Sequence, residues 1–260
     1  MDMRYEEEVK KYGKKDAIVA LCAFVAVTAI IAVSDVLSTI LPVSSTVWGF
    51  VLRAIIVGVA IAIVLVKKQG LASIGIHIDK LWPTLRFSAL LILVFFIFGV
   101  VPGLIFGWEF CSLGTIIPIL FITMINAAGE DIFFVGYFQT RLHGLIKNNV
   151  LAIFVGAVGF ALAHVPALLI SPFPAGGWDT MLILWIIAHT FLVLIFRRHF
   201  SIIPVIIAHT LLNFLSTGGL WNEFNFADNE SLIGFSMLLI LLSLVVVEVV
   251  CYRRAKKAQA

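Results

Sequence analysis

Eight runs of about twenty predominantly apolar residues divide this chain, at 17–41, 47–66, 84–106, 113–138, 150–170, 179–196, 200–218 and 232–252. A helix needs about 20 such residues to cross the hydrocarbon core of a bilayer. Inside that core every backbone N–H and C=O must be bonded within its own segment. The runs therefore predict an all-α fold, a polytopic membrane bundle of about eight transmembrane helices. Composition agrees: 62% of the 260 residues are hydrophobic and 13% charged, against about 25% charged in soluble domains. The first run is longer than the 7–15 apolar residues of a cleavable signal, so it is expected to stay as the first helix.

Charge placement orients the bundle. With the N-terminus in the cytoplasm, 17 of the 18 Lys and Arg residues fall on cytoplasmic segments, and Arg53 is the exception, inside the second run. The outer loops carry Glu109, Asp179, Glu223, Asp228 and Glu230 instead. This is the positive-inside pattern, and it predicts both termini inside. The expected organisation is a cytoplasmic segment at 1–16, one eight-helix transmembrane domain at 17–252 and a basic cytoplasmic tail at 253–260. Cys22, Cys111 and Cys251 are too scattered for a metal or redox motif. The basic residues form no patch interleaved with aromatics, so no nucleic-acid partner is expected.

Polar groups inside the runs are the functional signal, because a charge at the membrane centre costs ~2.5–3.5 kcal/mol or more. The fourth run holds Asn126, Glu130 and Asp131, the fifth His164, the sixth His189, and the seventh His209 and Asn213. At about 1.5 Å per residue, Glu130, His164 and Asn213 lie ~18–22 Å above the cytoplasmic ends of their runs and His209 ~12 Å. One layer near mid-membrane can hold all four. His209 and Asn213 are four apart and share a helical face, as do Asn126 and Glu130. Phe160 stands one turn before His164, placed to shield it. His189, without a partner at helical spacing, reads as structural. His77, His143 and His199 read as solvated loop residues, and the tryptophans near run ends as an interfacial belt.

A buried carboxylate beside an imidazole can take a proton from water as the water attacks a carbonyl. Imidazole and amide donors, here His209 and Asn213, can hold the developing oxyanion. This set would hydrolyse a peptide without a serine or cysteine nucleophile. No metal is assigned. The rival use of the same atoms is a zinc site with Glu130, His164 and His209 as three ligands. Against it stand the missing H-E-x-x-H pair and the poor ligand quality of asparagine.

The stretches EDIFFVGYFQTRL (Glu130–Leu142), FALAH (Phe160–His164) and HTLLN (His209–Asn213) resemble the three motifs of the CPBP family, the CAAX prenyl proteases and bacteriocin-processing or immunity proteins also called Abi proteins. The resemblance spans about 107–218. It implies an eight-helix bundle with a cavity open to the cytoplasm and inner leaflet. It also implies Glu130 and His164 as the water-activating pair, and His209 and Asn213 as oxyanion stabilisers. The family's first motif usually reads E-E-x-x-x-R. Here Asp131 replaces the second glutamate and Val135 stands where the arginine would be.

The expected function is intramembrane endopeptidase action in a bacterial or archaeal plasma membrane, on a peptide or membrane-associated protein tail. The alternative is a family member without proteolysis, acting as an immunity or scaffold partner. A proton-coupled transporter ranks third, because no inverted repeat is visible.

Overall fold

The computed structural model describes residues 3–40, 44–77, 81–105, 107–170, 177–216 and 220. The expected eighth span at 232–252, Cys251, Trp221 and the basic tail lie outside the described residues.

Among the described residues the chain is helical, without a strand. A short helix α1 (Met3–Lys10) precedes α2 (Lys14–Ile40) and α3 (Ser45–Val66). A 3₁₀ turn, Leu71–Ile74, leads to α4 (Leu81–Phe95), which runs through a π-helical segment, Phe96–Val100, into α5 (Val101–Ile105). Next, α6 (Leu113–Asp131), a second π-helical segment (Ile132–Phe138) and α7 (Gln139–Leu142) form one continuous helix. Then come α8 (Asn149–Ala163), α9 (Val165–Ile170), α10 (Gly177–His199) and α11 (Ile203–Ser216).

Among the described residues four helices are long and apolar enough to cross a membrane: Lys14–Ser38, Thr46–Val66, Leu113–Leu142 and Met181–His199. Three further apolar helices, Leu81–Phe95, Asn149–Ala163 and Ile203–Leu215, are shorter. They coincide with expected spans at 84–106, 150–170 and 200–218. Two of those spans are built in pieces, because α4 passes into α5 through the π segment and α8 breaks at His164. The outward surface is apolar: Val66, Ile105, Leu113 and Val150 are all largely exposed. Lipid-facing helices carry such a surface, whereas water-soluble domains confine apolar patches. The chain is membrane-embedded.

The helix from Leu113 to Leu142 organises the rest. Its first half exposes Leu113, Ile117 and Phe121, while its second half, Phe133–Leu142, is buried on every side. A helix apolar all round belongs in a core, and here it divides two. Val135 joins one apolar cluster with Phe191, Ile195, Val205 and Leu212. Phe133, Phe134, Tyr137 and Phe138 join the other, with Ala20, Ile56, Ala60 and Phe160. Gly136 lets the π segment press on the 3₁₀ turn, since a Cβ there would lie 2.8 Å from the Ile74 carbonyl oxygen.

The end of the bundle that carries Leu142 is closed by α1. Tyr5, Val9 and Tyr12 are buried there, and Glu6 pairs with Arg197 at 2.5 Å. The loop histidines are not solvated as expected. His77 bonds the Phe200 carbonyl oxygen, His199 stacks on Phe87, and His143 is 3% exposed with its Nε2 3.2 Å from the Tyr5 hydroxyl. For His143 the reason is α1, whose Tyr5 packs edge-on against its ring.

Burial, joined by Arg197 and Lys147 and opposed by Glu6, pushes the His143 imidazole down to about 4. In the unfolded chain it titrates near ~6.5. Between those values the unfolded chain binds the extra proton, so stability falls as pH drops from about 6.5 to about 4. His143→Gln is expected to flatten that part of the melting-temperature curve in detergent; an unchanged slope would contradict the assignment.

Candidate active site

Glu130 and Asp131 end α6 and lead into the π segment. Single-turn π-helical insertions recur at functional sites, where they re-aim side chains. Successive helical residues point about 100° apart, so the two acids face different neighbours. Glu130 meets α3 and His164, while Asp131 meets α11. His164 sits at the break between α8 and α9. Pro166, two residues on, has no N–H to give the Leu162 carbonyl four residues back, and the helix interrupts there. The break leaves His164 at a helix end, with its Nδ1 2.8 Å from the Phe160 carbonyl oxygen. A carbonyl only accepts, so Nδ1 carries the proton in that bond.

The expected residues do converge. The His164 Nε2 lies 3.7 Å from Glu130 Oε2, and the His209 Nε2 lies 3.9 Å from the same oxygen. The His209 Nδ1 lies 3.0 Å from Asp131 Oδ1, so Asp131 fixes that ring. Glu130 is 6% exposed, and Asp131 is fully buried. Asn213 is half-buried one turn beyond His209, and Asn126 is half-buried one turn before Glu130. Phe160 shields more than His164. Its ring centroid lies 4.5 Å from those of His164 and His189 and 6.2 Å from that of His209.

Three residues absent from the expected set belong to the same cluster. Arg53, on α3, places its guanidinium 2.6 Å from Glu130 Oε1. The sequence carried the signal, since this was the single basic residue out of place in the charge pattern and intramembrane cations usually have a partner. On α10, Trp185 packs on His164 with ring centroids 4.8 Å apart. One turn later His189, fully buried, stacks on Phe160 at an interplanar angle of 16°. His189 read as lacking a partner at helical spacing, yet Trp185 stands four residues before it in the sequence.

Two local substitutions separate this chain from the E-E-x-x-x-R pattern. Val135 is fully buried among apolar side chains and brings no charge to the acids. Arg141 does not stand in for it. It is held at the Leu142 end of the helix by Ser73, Gln69 and Thr140.

The residues do not fit a zinc centre. Among the described residues no three His, Cys, Asp or Glu side chains are grouped as metal ligands. The guanidinium on Glu130 Oε1 already supplies a positive charge to that carboxylate.

A buried acid, two imidazoles whose Nε2 atoms face it and a cation on its other oxygen stand together inside a helical membrane domain. Residues 112–215 match the family model described as type II CAAX prenyl endopeptidase, Rce1-like. Over this segment, about two-fifths of the chain, the protein is similar to that family. The match covers Glu130, Asp131, Phe160, His164, His209 and Asn213, and it leaves out Arg53. No curated protein matches the chain significantly.

Proposed function

We propose that the protein is an intramembrane endopeptidase in which Glu130 and His164 activate water. The observation that carries this is the approach of both Nε2 atoms to Glu130 Oε2, at 3.7 and 3.9 Å. These separations exceed a direct hydrogen bond, and a water oxygen about 2.8 Å from both acceptors suits the first of them. His164, with its Nδ1 proton given to Phe160, offers Nε2 as acceptor. The water then donates to Glu130 and His164 and presents its lone pair to the scissile carbonyl carbon.

As the C–O bond forms, Glu130 takes the water proton. His209, protonated on both ring nitrogens, donates its Nε2–H to the oxyanion together with the Asn213 amide, while Asp131 accepts from His209 Nδ1–H and holds the ring. The C–N bond breaks as the proton on Glu130 passes to the leaving amine. General acid–base transfer of this kind is worth roughly 10²–10⁴-fold in rate. No step requires a metal, so hydrolysis is expected to survive excess chelator. Loss of cleavage on chelation, restored by zinc, would contradict this.

The substrate is a peptide or a membrane-associated protein tail, such as a bacteriocin or pheromone precursor. It reaches the site from the cytoplasmic side of a bacterial or archaeal plasma membrane, through a multi-pass bundle with both termini inside. Mass spectrometry of a precursor-peptide library incubated with the purified protein tests this reading. The second reading, an immunity or scaffold partner without proteolysis, is favoured by one observation: Asp131 and Val135 depart from the family's motif. Folded protein that cleaves nothing would favour it.

A further inference from the structure

We infer that Arg53 is a positioning residue for the water-activating carboxylate, supplied by a helix outside the segment that carries the family motifs. The inference rests on the hydrolase reading above. Its structural basis is that the two oxygens of Glu130 are used differently. Oε1 is held by the Arg53 guanidinium at 2.6 Å, while Oε2 is left to face the two imidazoles. A carboxylate with one oxygen tied cannot rotate that pair of positions, so its free lone pairs stay aimed at one point.

Gly129 makes the arrangement possible. A Cβ at that position would lie 2.7 Å from both Cβ and Cδ of Arg53 and 2.9 Å from Cγ. The arginine stem thus lies across the bare backbone of the residue before Glu130. No larger residue fits there without moving the stem. Both partners are also at matching depth. Arg53 is thirteen residues from Val66 and Glu130 twelve from Leu142, which is ~20 and ~18 Å from the same end of the bundle.

The cation does more than neutralise. A buried acid without a partner is costly, and pairing keeps it ionised at low cost only when geometry is fixed. Val135 brings no charge, and Arg141 is committed elsewhere, so among the described residues Arg53 is the cation that contacts Glu130. Its planar fork binds a carboxylate more directionally than a lysine ammonium does.

The test uses the full chain in detergent and a peptide the wild type cleaves. Arg53→Met is expected to lower kcat by roughly 10²-fold with KM little changed, the size of loss that misplacing a catalytic group by about 1 Å produces. Arg53→Lys should recover part of that loss, and Gly129→Ala should reproduce it with every charge retained. Wild-type kcat in Arg53→Met would overturn the inference, as would a loss confined to KM. A second readout is independent of cleavage: thermal unfolding of Arg53→Met, Glu130→Ala and the double variant. Coupled effects on Tm support the hold, and additive effects overturn it. If the wild type cleaves no peptide, the hydrolase reading fails, and this cycle alone decides the inference.

Discussion

Glu130→Gln and His164→Ala are each expected to lower peptide hydrolysis about 10³-fold, and the double variant to lose little more than either alone. The reasoning is geometric. Glu130 Oε2 and His164 Nε2 lie 3.7 Å apart, so one water serves both and removing either acceptor leaves it misoriented. Groups that act on one water act as a unit, and losses within a unit do not multiply. Glutamine is chosen because its amide oxygen can still accept from Arg53, now 2.6 Å from Oε1. An alanine would leave that guanidinium unpaired and cost stability as well. Multiplying losses in the double variant would mean that the two residues serve different steps.

The second large effect is on stability rather than rate. Arg141→Met is expected to destabilise the fold by about 3 kcal/mol or more. Arg141 is fully buried. One terminal nitrogen bonds the Ser73 carbonyl at 3.0 Å and the Thr140 hydroxyl at 2.7 Å; the other bonds Gln69 and the Ser73 hydroxyl, each at 2.7 Å. Its guanidinium also lies 4.3 Å from the Tyr12 ring centroid and 5.0 Å from that of Tyr137. Hydrogen bonds to a charged group contribute about 1.5–3 kcal/mol each, though not additively. One side chain thus ties the N-terminal segment, the 3₁₀ turn and the central helix together. Because it lies ~16 Å along the helix from Glu130, the rate per folded molecule should stay near wild type. A variant with unchanged Tm and lost hydrolysis would instead put Arg141 in contact with substrate.

Local spacing predicted the parts of this protein that depend on local spacing. The long apolar runs give a membrane bundle, and the motifs around Glu130, His164 and His209 do meet at one point. What the sequence left out depends on tertiary placement. Arg53 and Glu130 are 77 positions apart, and no periodicity links them; only the misplaced charge hinted at a pairing. His143 was read as solvated because the docking of α1 over it is a packing outcome. The π-helical stretch Ile132–Phe138 looks like any apolar helix in sequence, yet it directly follows both acids. The break at His164 was missed, since 150–170 stood as one span, although Pro166 is a local signal for it. Of the eight runs, four fall on helices long enough to cross, three on apolar helices of 10–17 residues, and the eighth lies outside the described residues.

The most direct test is mass spectrometry of a precursor-peptide library incubated with purified protein, wild type against Glu130→Ala, with and without chelator. Cleavage by the wild type that survives chelation and vanishes in Glu130→Ala is the predicted result. Cleavage by both forms, or by neither in a folded preparation, would contradict a glutamate-dependent hydrolase.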